Sequence, residues 1–376
     1  MRFRDIRVEE AEQERVVGWV YYVKKQAGVI DEEWLTAGRA WVARNLEKLE
    51  AAARVLDRFG AALEPYEIPW MVIKGLAFAL SVYPDPALRG FGDIDILVPP
   101  AYFGDALAVL RDAGFRDARP PAFGTFTDKV SHARVVMHPD EPAIEIDFHF
   151  QALEDHVTGC DVSDDWLWTS HKDTKTLNNF GSLRFCVKVP CLEAQVLHGA
   201  AHLVAHHHHR PQLVWYLDLA LAIRAGLDPA RLKALGQASG WLSFLLPVLE
   251  SLLNHDIPLL SSEIGHPTSA VGCGLSDEVR RLKETVEAWV KEPVVDPEVV
   301  ATVRRVMKSD LSPVAATARR WRDLRGFDRM RFIGHLLFPT RAYMIERYRP
   351  PRRWLWPLMY PYRWLRMALL IFHTHK

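Results

Sequence analysis

The sequence predicts an α+β protein in which a small mixed sheet lies between a helical N-terminal segment and a large C-terminal helical domain. Three observations predict this class. Apolar residues recur at helical spacing over 32–59, short strand-like runs occupy 70–150, and helical periodicity returns from Pro190 onward. We therefore expect a helical segment at 1–64, an α/β domain at 65–189, a helical domain at 190–345 and an aromatic, basic tail at 346–376.

The elements of the α/β domain follow from local signals. Strands are predicted at 70–74, 93–98, 133–137 and 143–150, with helices after Gly75 and over 102–113. Gly114 ends the second helix, and the segment 84–90 is predicted to be a loop because it holds two prolines and a glycine. An order of strand, helix, strand, helix, strand, strand is typical of a small mixed sheet covered by helices.

The remainder of the chain is predicted to be helical. Apolar periodicity predicts helices over 193–209, 212–225, 229–238, 241–254, 277–291, 297–308 and 314–324. The aromatic stretch 354–372 is interrupted by two prolines and two arginines, and a spanning helix needs about 20 mostly apolar residues. We therefore expect no transmembrane span. The tail should pack on the protein or on a partner, with peripheral membrane contact as the alternative.

Charge and cysteine content narrow the function classes. Lys and Arg total 47, as do Asp and Glu, so the balanced charge argues against a long nucleic acid as the partner. The four cysteines form no CxxC pair, and the charged first 16 residues lack the apolar core of a signal peptide. These features predict reduced thiols and a cytoplasmic location.

Two aspartates on one predicted strand form the strongest local motif. Because strand side chains alternate between faces, Asp93 and Asp95 point the same way, while Ile94 and Ile96 point to the other face. Adjacent like charges destabilise a strand. A divalent cation removes this repulsion, and Mg²⁺ is commonly held by one or two carboxylates together with phosphate oxygens. Asp93 and Asp95 are therefore predicted metal ligands.

A third acid lies on the last predicted strand of this domain. Residues 144–150 alternate without a break, so Glu145, Asp147 and His149 share one face. If this strand pairs with the Asp95 strand, the carboxylates converge and could hold two Mg²⁺ or Mn²⁺ ions. A solvated edge strand shows the same alternation, so the hypothesis depends on that pairing.

A glycine turn precedes the acids. Gly75 allows a phosphate to approach the backbone, and the following helix presents free N–H groups at its N-terminus. Lys74 and Arg89 are candidate positive charges for phosphate. An ordinary strand-to-helix turn and a surface arginine are the alternatives.

The order of these motifs resembles the nucleotidyltransferase superfamily built on the DNA polymerase beta catalytic fold, with a glycine turn, a DxD strand and a later third acid. More narrowly, KGLAFALSVYPDPALRGFGDIDILV, then VVMHPDEPAIEIDFHF, then Trp215-x-x-Asp218 is similar to a bacterial family of uncharacterised nucleotidyltransferases. The resemblance covers about residues 65–225. Many active superfamily members have Gly-Ser at the turn, where this chain has Gly75-Leu76, so a phosphate-binding hydroxyl is missing.

The resemblance implies transfer of a nucleotide from an NTP, expected to be ATP or GTP, to a hydroxyl or phosphate of a small-molecule or peptide acceptor, with release of pyrophosphate. Such a reaction would suit a tailoring step on a natural product or polysaccharide. Asp93, Asp95 and Asp147 would be catalytic and would hold Mg²⁺ or Mn²⁺. The expected nucleotide-binding residues are Lys74, Gly75, Arg89, Gly92, His149, His202 and Asp218. The missing serine and the aromatic tail favour the alternative of a catalytically degenerate nucleotide-binding scaffold or sensor.

A run of histidines lies further along the chain. His198, His202 and His206 recur every four residues, and 207–210 reads His-His-His-Arg. HxxxH on a helix can supply two zinc ligands, but HExxH is absent. There are two alternatives to zinc. His202, His206 and Arg210 could face the nucleotide cleft and contact phosphate or acceptor, or the cations could simply favour the helix C-terminus.

Overall fold

A computed structural model describes most of the chain. The described residues are 6–129, 131–153, 165–169, 171–174, 187–207, 211–254, 275–291, 301, 317, 321–322 and 324–373. Most of the predicted helices 297–308 and 314–324 lies outside these ranges, as do His208, His209, Arg210, Cys160, Cys186 and Cys273.

Three helices form the N-terminal segment: α1 (Val8–Gln13), α2 (Val17–Gln26) and α3 (Glu32–Leu63). The Asp31 carboxylate caps α3 by accepting from the Trp34 N–H at 2.9 Å. This helix runs one turn past the predicted end and includes Gly38. A Cβ at Gly38 would lie 2.1 Å from the Tyr21 ring, so this glycine allows α2 to pack closely against α3.

Five strands form one mixed sheet: β1 (Met71–Ile73), β2 (Ile94–Leu97), β3 (Arg116–Asp117), β4 (Ala133–Met137) and β5 (Glu145–His149). Their spatial order is β1-β2-β5-β4-β3, with β2 and β5 parallel and the other pairs antiparallel. The helices α4 (Lys74–Val82) and α5 (Phe103–Asp112) lie between strands in the chain. The predicted α+β class with a mixed sheet is confirmed, and β5 pairs directly with β2, the pairing on which the metal hypothesis depended.

One face of the sheet is apolar and faces α3 and α5. Ile94, Ile96, Ile146 and Phe148 are fully buried there. The Phe59 ring of α3 packs edge-on against Phe148 at 5.6 Å between centroids. Because side chains alternate along β2 and β5, this buried face directs Asp95 and Asp147 to the opposite side.

Helices cover the acidic side of the sheet. They include α6 (Asp165–Thr169), α7 (Leu192–His202), α8 (Leu213–Arg224), α9 (Pro229–Ser239), α10 (Leu242–Asn254) and α11 (Leu275–Val290). The helices α7 and α8 pack on each other and on α4. An antiparallel pair of strands, β6 (His171–Thr174) and β7 (Val187–Pro190), was not predicted, and β7 lies beside β1.

The predicted continuous helix 193–209 is wrong in its second half. The α-helix ends at His202, and Leu203–His207 form a π-helical segment. A π-helical turn has i→i+5 hydrogen bonds, so side chains within it, such as His206, no longer follow the four-residue stripe. The predicted single stripe of His198, His202 and His206 is therefore bent at its C-terminal end.

The C-terminal helices pack on the loop after β3. Their ranges are Phe327–Leu337, Arg341–Tyr348, a 3₁₀ turn Arg353–Leu358 and Met359–His373. Thr340 donates its hydroxyl to the Pro121 carbonyl at 3.0 Å and its N–H to the Ala122 carbonyl at 3.1 Å. Within the described ranges, no helix has the length and apolar character needed to cross a bilayer.

Candidate functional site

Two carboxylates meet at the centre of the sheet. Asp95 on β2 is the register partner of Asp147 on β5. His149, two residues further along β5 and fully buried, brings its Nε2 to 3.0 Å from Asp95 Oδ1 and 3.1 Å from Asp147 Oδ2. The imidazole therefore bridges the two acids.

Lys74 brings a positive charge to this cluster. Its Nζ donates to Asp95 Oδ1 at 2.8 Å and lies 3.2 Å from His149 Nε2. Lys74 begins α4 with a left-handed backbone at φ +55°, which is strained for a residue other than glycine. Such strain is typical of functional sites, and here it accompanies a side chain that reaches the acids.

The cations outweigh burial in setting the charge of the acids. Burial alone would raise the pKa of Asp95, but Lys74 and His149 together lower the pKa below its usual value. Burial likewise opposes ionisation of Asp147, yet His149 and Lys74 hold the pKa of Asp147 well below its usual range. Both carboxylates are therefore ionised at neutral pH and available as ligands.

Asp93 occupies a different environment. It lies just before β2, in a bend with Gly92, and its side chain is exposed. The walls of the cavity still desolvate it, and Asp95 and Asp147 repel its charge, so the pKa of Asp93 is raised. The predicted strand 93–98 therefore begins one residue later than expected, while Asp93 faces the same cavity as Asp95.

The acids and the imidazole form a group that could hold a divalent cation. Asp95, Asp147 and His149 each offer a ligand atom, and these atoms lie within 4.8 Å of one another. Two carboxylate oxygens suit a hard cation such as Mg²⁺ or Mn²⁺, and Asp93 adds a third from the cavity surface. The described part of the chain holds no second group of three such ligand atoms, so His198, His202 and His206 do not form one there.

A cavity of about 270 Å³ opens above the acids, between the sheet and the helices α4, α7 and α8. Its walls include nine of the ten site residues predicted from the sequence: Lys74, Gly75, Arg89, Gly92, Asp93, Asp95, Asp147, His202 and Asp218. The tenth, His149, lies behind the wall and contacts Asp95 and Asp147. The structure thus gathers motifs that are up to 144 residues apart, from Lys74 to Asp218, around one space.

Arg89 and Asp218 form a buried ion pair in the cavity wall. Arg89 Nε donates to Asp218 Oδ1 at 3.0 Å, and Nη2 donates to Oδ2 at 2.6 Å. The Tyr83 hydroxyl adds a third hydrogen bond to Asp218 at 2.8 Å. A Cβ at Gly75 would lie 3.4 Å from Arg89 Nη1, so this glycine borders the guanidinium. Arg89 is thus a buried, paired residue, and the surface alternative is wrong.

Arg15 also lines the cavity, although sequence reasoning missed it. The residue is half-buried and adopts a left-handed φ of +60°. A Cβ at Gly92 would lie 3.6 Å from Arg15 Nη2. The guanidinium makes no hydrogen bond or ion pair with any other described residue, and burial together with Arg89 lowers the pKa of Arg15. Arg15 is therefore a desolvated cation in the wall of the cavity, and none of the described carboxylates is bound to it.

The turn that carries Arg15 is attached to the helical domain. The Glu14 carboxylate accepts from the Leu213 N–H at 2.8 Å, and the Glu14 carbonyl accepts from the Val214 N–H at 3.3 Å. These contacts cap the first turn of α8, whose Trp215 and Asp218 line the same cavity. No local motif in the sequence links residue 15 to residue 213, so this contact was not predictable from spacing.

A family comparison agrees with this geometry. A family described as uncharacterised nucleotidyltransferases matches residues 7–252, about two thirds of the chain. The chain belongs to this family. The match begins before Arg15 and extends past α8, so it covers every described residue of the cavity wall. No curated protein and no solved structure matches the chain.

The rest of the cavity wall in this nucleotidyltransferase family member is apolar. It is formed by Phe78, Phe91, Gly199, Leu203, Trp215 and Leu219. Lys48 on α3 holds the Phe91 loop by donating to the carbonyls of Phe91 at 2.7 Å and Gly92 at 2.6 Å. The cavity therefore has one charged side and one side suited to a flat, apolar group.

Four histidine rings lie in successive contact between the acidic cluster and the cavity wall. Ring centroids lie 5.0 Å apart for His149 and His132, 5.5 Å for His132 and His206, and 4.8 Å for His206 and His202. The π-helical segment carries His206 to His132, and His202 reaches the cavity wall. These contacts form a row of four rings that begins at the acidic cluster.

Proposed function

We propose that this chain is a metal-dependent nucleotidyltransferase, with a sheet of the DNA polymerase beta type, that transfers a nucleotide from an NTP to an acceptor. The observation that carries the proposal is the convergence of Asp93, Asp95 and Asp147 on one cavity that Arg15 also lines, in a chain of this family. Carboxylates for metal ions and a cation for phosphate are the two components that phosphoryl transfer needs.

The acids account for the metal ions. Asp95 and Asp147, with Asp93 at the surface of the cavity, would hold Mg²⁺ or Mn²⁺. When bound, such ions neutralise phosphate charge and lower the pKa of an attacking hydroxyl. The lowered pKa of Asp147 keeps it ionised, which favours a role as ligand over a role as general base.

Arg15 is the best candidate for direct contact with the triphosphate. Arginine binds phosphate through its planar fork of N–H donors. The Arg15 guanidinium has no hydrogen-bond partner among the described residues, whereas Arg89 is committed to Asp218 and to the Gly90 carbonyl. We therefore assign phosphate contact to Arg15, and charge and positioning to Arg89. Lys74 neutralises Asp95 and adds a third cation on the same wall.

The apolar side of the cavity suits a nucleobase. Phe78, Phe91 and Trp215 offer aromatic rings, and stacking of a base on an aromatic ring is tolerant of base identity. His202 lies on the same wall and can contact a polar edge of the base or of the acceptor. ATP and GTP are the first substrates to test.

The proposed reaction is a displacement at the α-phosphorus. An acceptor oxygen attacks and forms a new P–O bond. The bond from the α-phosphorus to the bridging oxygen breaks, its electron pair leaves with pyrophosphate, and the acceptor proton passes to solvent. Positioning and charge neutralisation by the cavity residues would supply most of the rate.

The charges of the cavity favour a small acceptor. Three cations (Arg15, Lys74 and Arg89) face four carboxylates (Asp93, Asp95, Asp147 and Asp218) across the wall. A groove for long nucleic acid usually carries a basic excess, which these residues do not provide. We therefore favour a hydroxyl or phosphate of a small molecule or peptide, as in a tailoring step of a biosynthetic route.

The scaffold or sensor alternative depends on the turn after Lys74. Leu76, at the position of the usual serine, is fully buried and offers no hydroxyl to a phosphate. Arg15, whose guanidinium is bound to no other described residue, can compensate for that missing contact. A protein that binds NTP and metal without transfer would fit the alternative.

The test is transfer of label from α-labelled NTPs to components of a cell extract. We expect Mg²⁺-dependent transfer by the wild type and a loss of about 100-fold or more in Asp95→Asn. Asp105→Asn is the matched control, because Asp105 is exposed on α5 and does not line the cavity. Equal transfer by Asp95→Asn would refute the proposal, and binding without transfer in any extract would favour the scaffold.

A further inference from the structure

The C-terminal helix Met359–His373 has one face that is attached to the protein. The Tyr360 hydroxyl donates to the Pro339 carbonyl at 2.8 Å, Arg363 Nη2 donates to the Leu336 carbonyl at 3.1 Å, and Trp364 Nε1 donates to the Leu337 carbonyl at 2.9 Å. Two of these bonds satisfy the carbonyls of Leu336 and Leu337 at the end of the helix Phe327–Leu337, and the third satisfies Pro339 just after it. The tail therefore packs on its own chain through this face, which was one of the two predicted outcomes.

A second face of the same segment is apolar and exposed. Leu358 ends the 3₁₀ turn directly before the helix, and Tyr362 and Leu365 follow it at spacings of four and three residues, so Tyr362 and Leu365 share one side of the helix and Leu358 lies at the start of that side. Their exposed fractions are 62%, 51% and 59%, and Trp354 in the preceding 3₁₀ turn is 66% exposed. Soluble proteins rarely leave contiguous apolar surface of this kind uncovered.

Positive charge is concentrated in the same segment as this face. Residues 339–373 contain one acidic residue, Glu346, and seven arginines: Arg341, Arg347, Arg349, Arg352, Arg353, Arg363 and Arg366. All of these arginines except Arg363 are exposed. The whole chain has a formal net charge of zero, so the segment is a local basic region on a neutral protein. An anionic partner is the complement of this charge.

We propose that the surface formed by Trp354, Leu358, Tyr362 and Leu365 with its flanking arginines, here called the C-terminal face, docks on an anionic lipid bilayer. Trp and Tyr with Arg are the residues that favour the boundary between headgroups and acyl chains. Exposed leucines gain from insertion into acyl chains but gain little from a nucleic acid, which offers bases for stacking and phosphates for charge. The helix would lie in the plane of the interface. This proposal is independent of the proposed transferase activity.

The test is co-sedimentation of the full chain with vesicles of phosphatidylcholine alone or mixed with phosphatidylglycerol. We expect binding to the anionic vesicles only, weakened by added salt because the arginines act through screened charge. Leu358→Glu combined with Leu365→Glu should reduce binding by about 10-fold or more, since each change places a charge where an apolar side chain inserts. Arg352→Gln should reduce it by about 5-fold.

The matched control is Val29→Glu, because Val29 is 65% exposed on the N-terminal segment and lies outside the C-terminal face. Circular dichroism of each variant checks that the chain is folded. The proposal is overturned if the wild type does not bind anionic vesicles or if the double glutamate variant binds them equally well. It is also overturned if the same two substitutions break a dimer, or abolish binding to RNA, while wild type shows no binding to vesicles.

Discussion

Asp95 and Asp147 lie directly opposite each other on parallel strands, and one imidazole, that of His149, contacts both carboxylates. The sheet itself therefore sets the distance between the acids, without help from a loop. Strand pairing and the apolar face below Asp95 and Asp147 make this arrangement rigid, which suits ligands that must keep a fixed geometry around a metal ion.

The left-handed backbone at Lys74 leads to a test of strain. Lys74→Gly and Lys74→Ala both remove the ammonium beside Asp95, but only alanine keeps the Cβ that disfavours φ +55°. We expect the glycine variant to be more stable than the alanine variant by about 1 kcal/mol in urea unfolding.

Glu47 provides the control for this comparison. It is exposed within α3, where glycine should be less stable than alanine by about 1 kcal/mol. The order of the two variants should therefore reverse between positions 74 and 47. The same order at both positions would show that the backbone of Lys74 is not strained.

Arg15 should contribute more to the affinity for an NTP than to the affinity for the monophosphate. Arg15→Ala is expected to weaken binding of Mg²⁺-bound NTP by about 10- to 100-fold, with a much smaller effect on the monophosphate, because one charge-assisted contact to the outer phosphates is lost. Calorimetry on both ligands measures the difference. Arg44→Ala, an exposed change on α3, serves as the control. Unchanged NTP affinity in Arg15→Ala would remove Arg15 from the triphosphate site.

The pair of Arg89 and Asp218 should behave as a coupled unit. Arg89→Met leaves a buried carboxylate without its cation, and we expect a loss of about 3–5 kcal/mol in unfolding free energy. Asp218→Leu should cost a similar amount. The double variant should cost clearly less than the sum of the two single variants, because neither charge remains buried alone. Additive losses in a double-mutant cycle would show that the pair does not contribute as a unit.

Because His198 is buried, the free energy of unfolding should fall in acid. Burial lowers the pKa of His198 to about 3, and Lys74 adds to the effect. The unfolded chain then binds a proton below about pH 6.5 that the folded chain excludes, so stability falls with pH between about 6.5 and 3. At pH 5 this amounts to about 2 kcal/mol relative to neutral pH.

The comparison variant is His198→Gln, whose amide can still donate to the Ala152 carbonyl, which lies 3.1 Å from His198 Nε2. Urea unfolding of both proteins at pH 7 and pH 5 isolates the contribution of His198. The wild type should lose more stability than the variant over this interval. An equal loss in the two proteins would mean that His198 is protonated as easily in the folded chain as in the unfolded one.

Local pattern was enough to predict β1, β2, β4 and β5 and the residues around the acids, but the two-residue strand β3 was not predicted. Period-two alternation located β2 and β5, and it placed Asp95 and Asp147 on the face away from the buried Ile96 and Phe148. A motif of this kind is contained within a few residues, so its geometry follows from strand structure alone.

Long-range contacts were not predictable in the same way. The partner of Arg89 is Asp218, 129 residues away. The sequence around either residue gives no indication that the two are in contact. Arg15 lies in a turn just after the charged helix α1, and this charged sequence resembles that of any solvated surface. The π-helical segment that ends at His207 depends on packing rather than on spacing. The boundaries at 64, 189 and 345 and the cytoplasmic location stay predictions.

The central claim is that the cavity above Asp95 and Asp147 binds an NTP together with a metal ion. Calorimetric titration of ATP and GTP into wild type and Asp95→Asn, each with and without Mg²⁺, tests it most directly. We expect binding by the wild type only when Mg²⁺ is present, and a loss of about 10-fold or more in Asp95→Asn. Failure of the wild type to bind any NTP, or binding unaffected by Mg²⁺ and by Asp95→Asn, would contradict the claim.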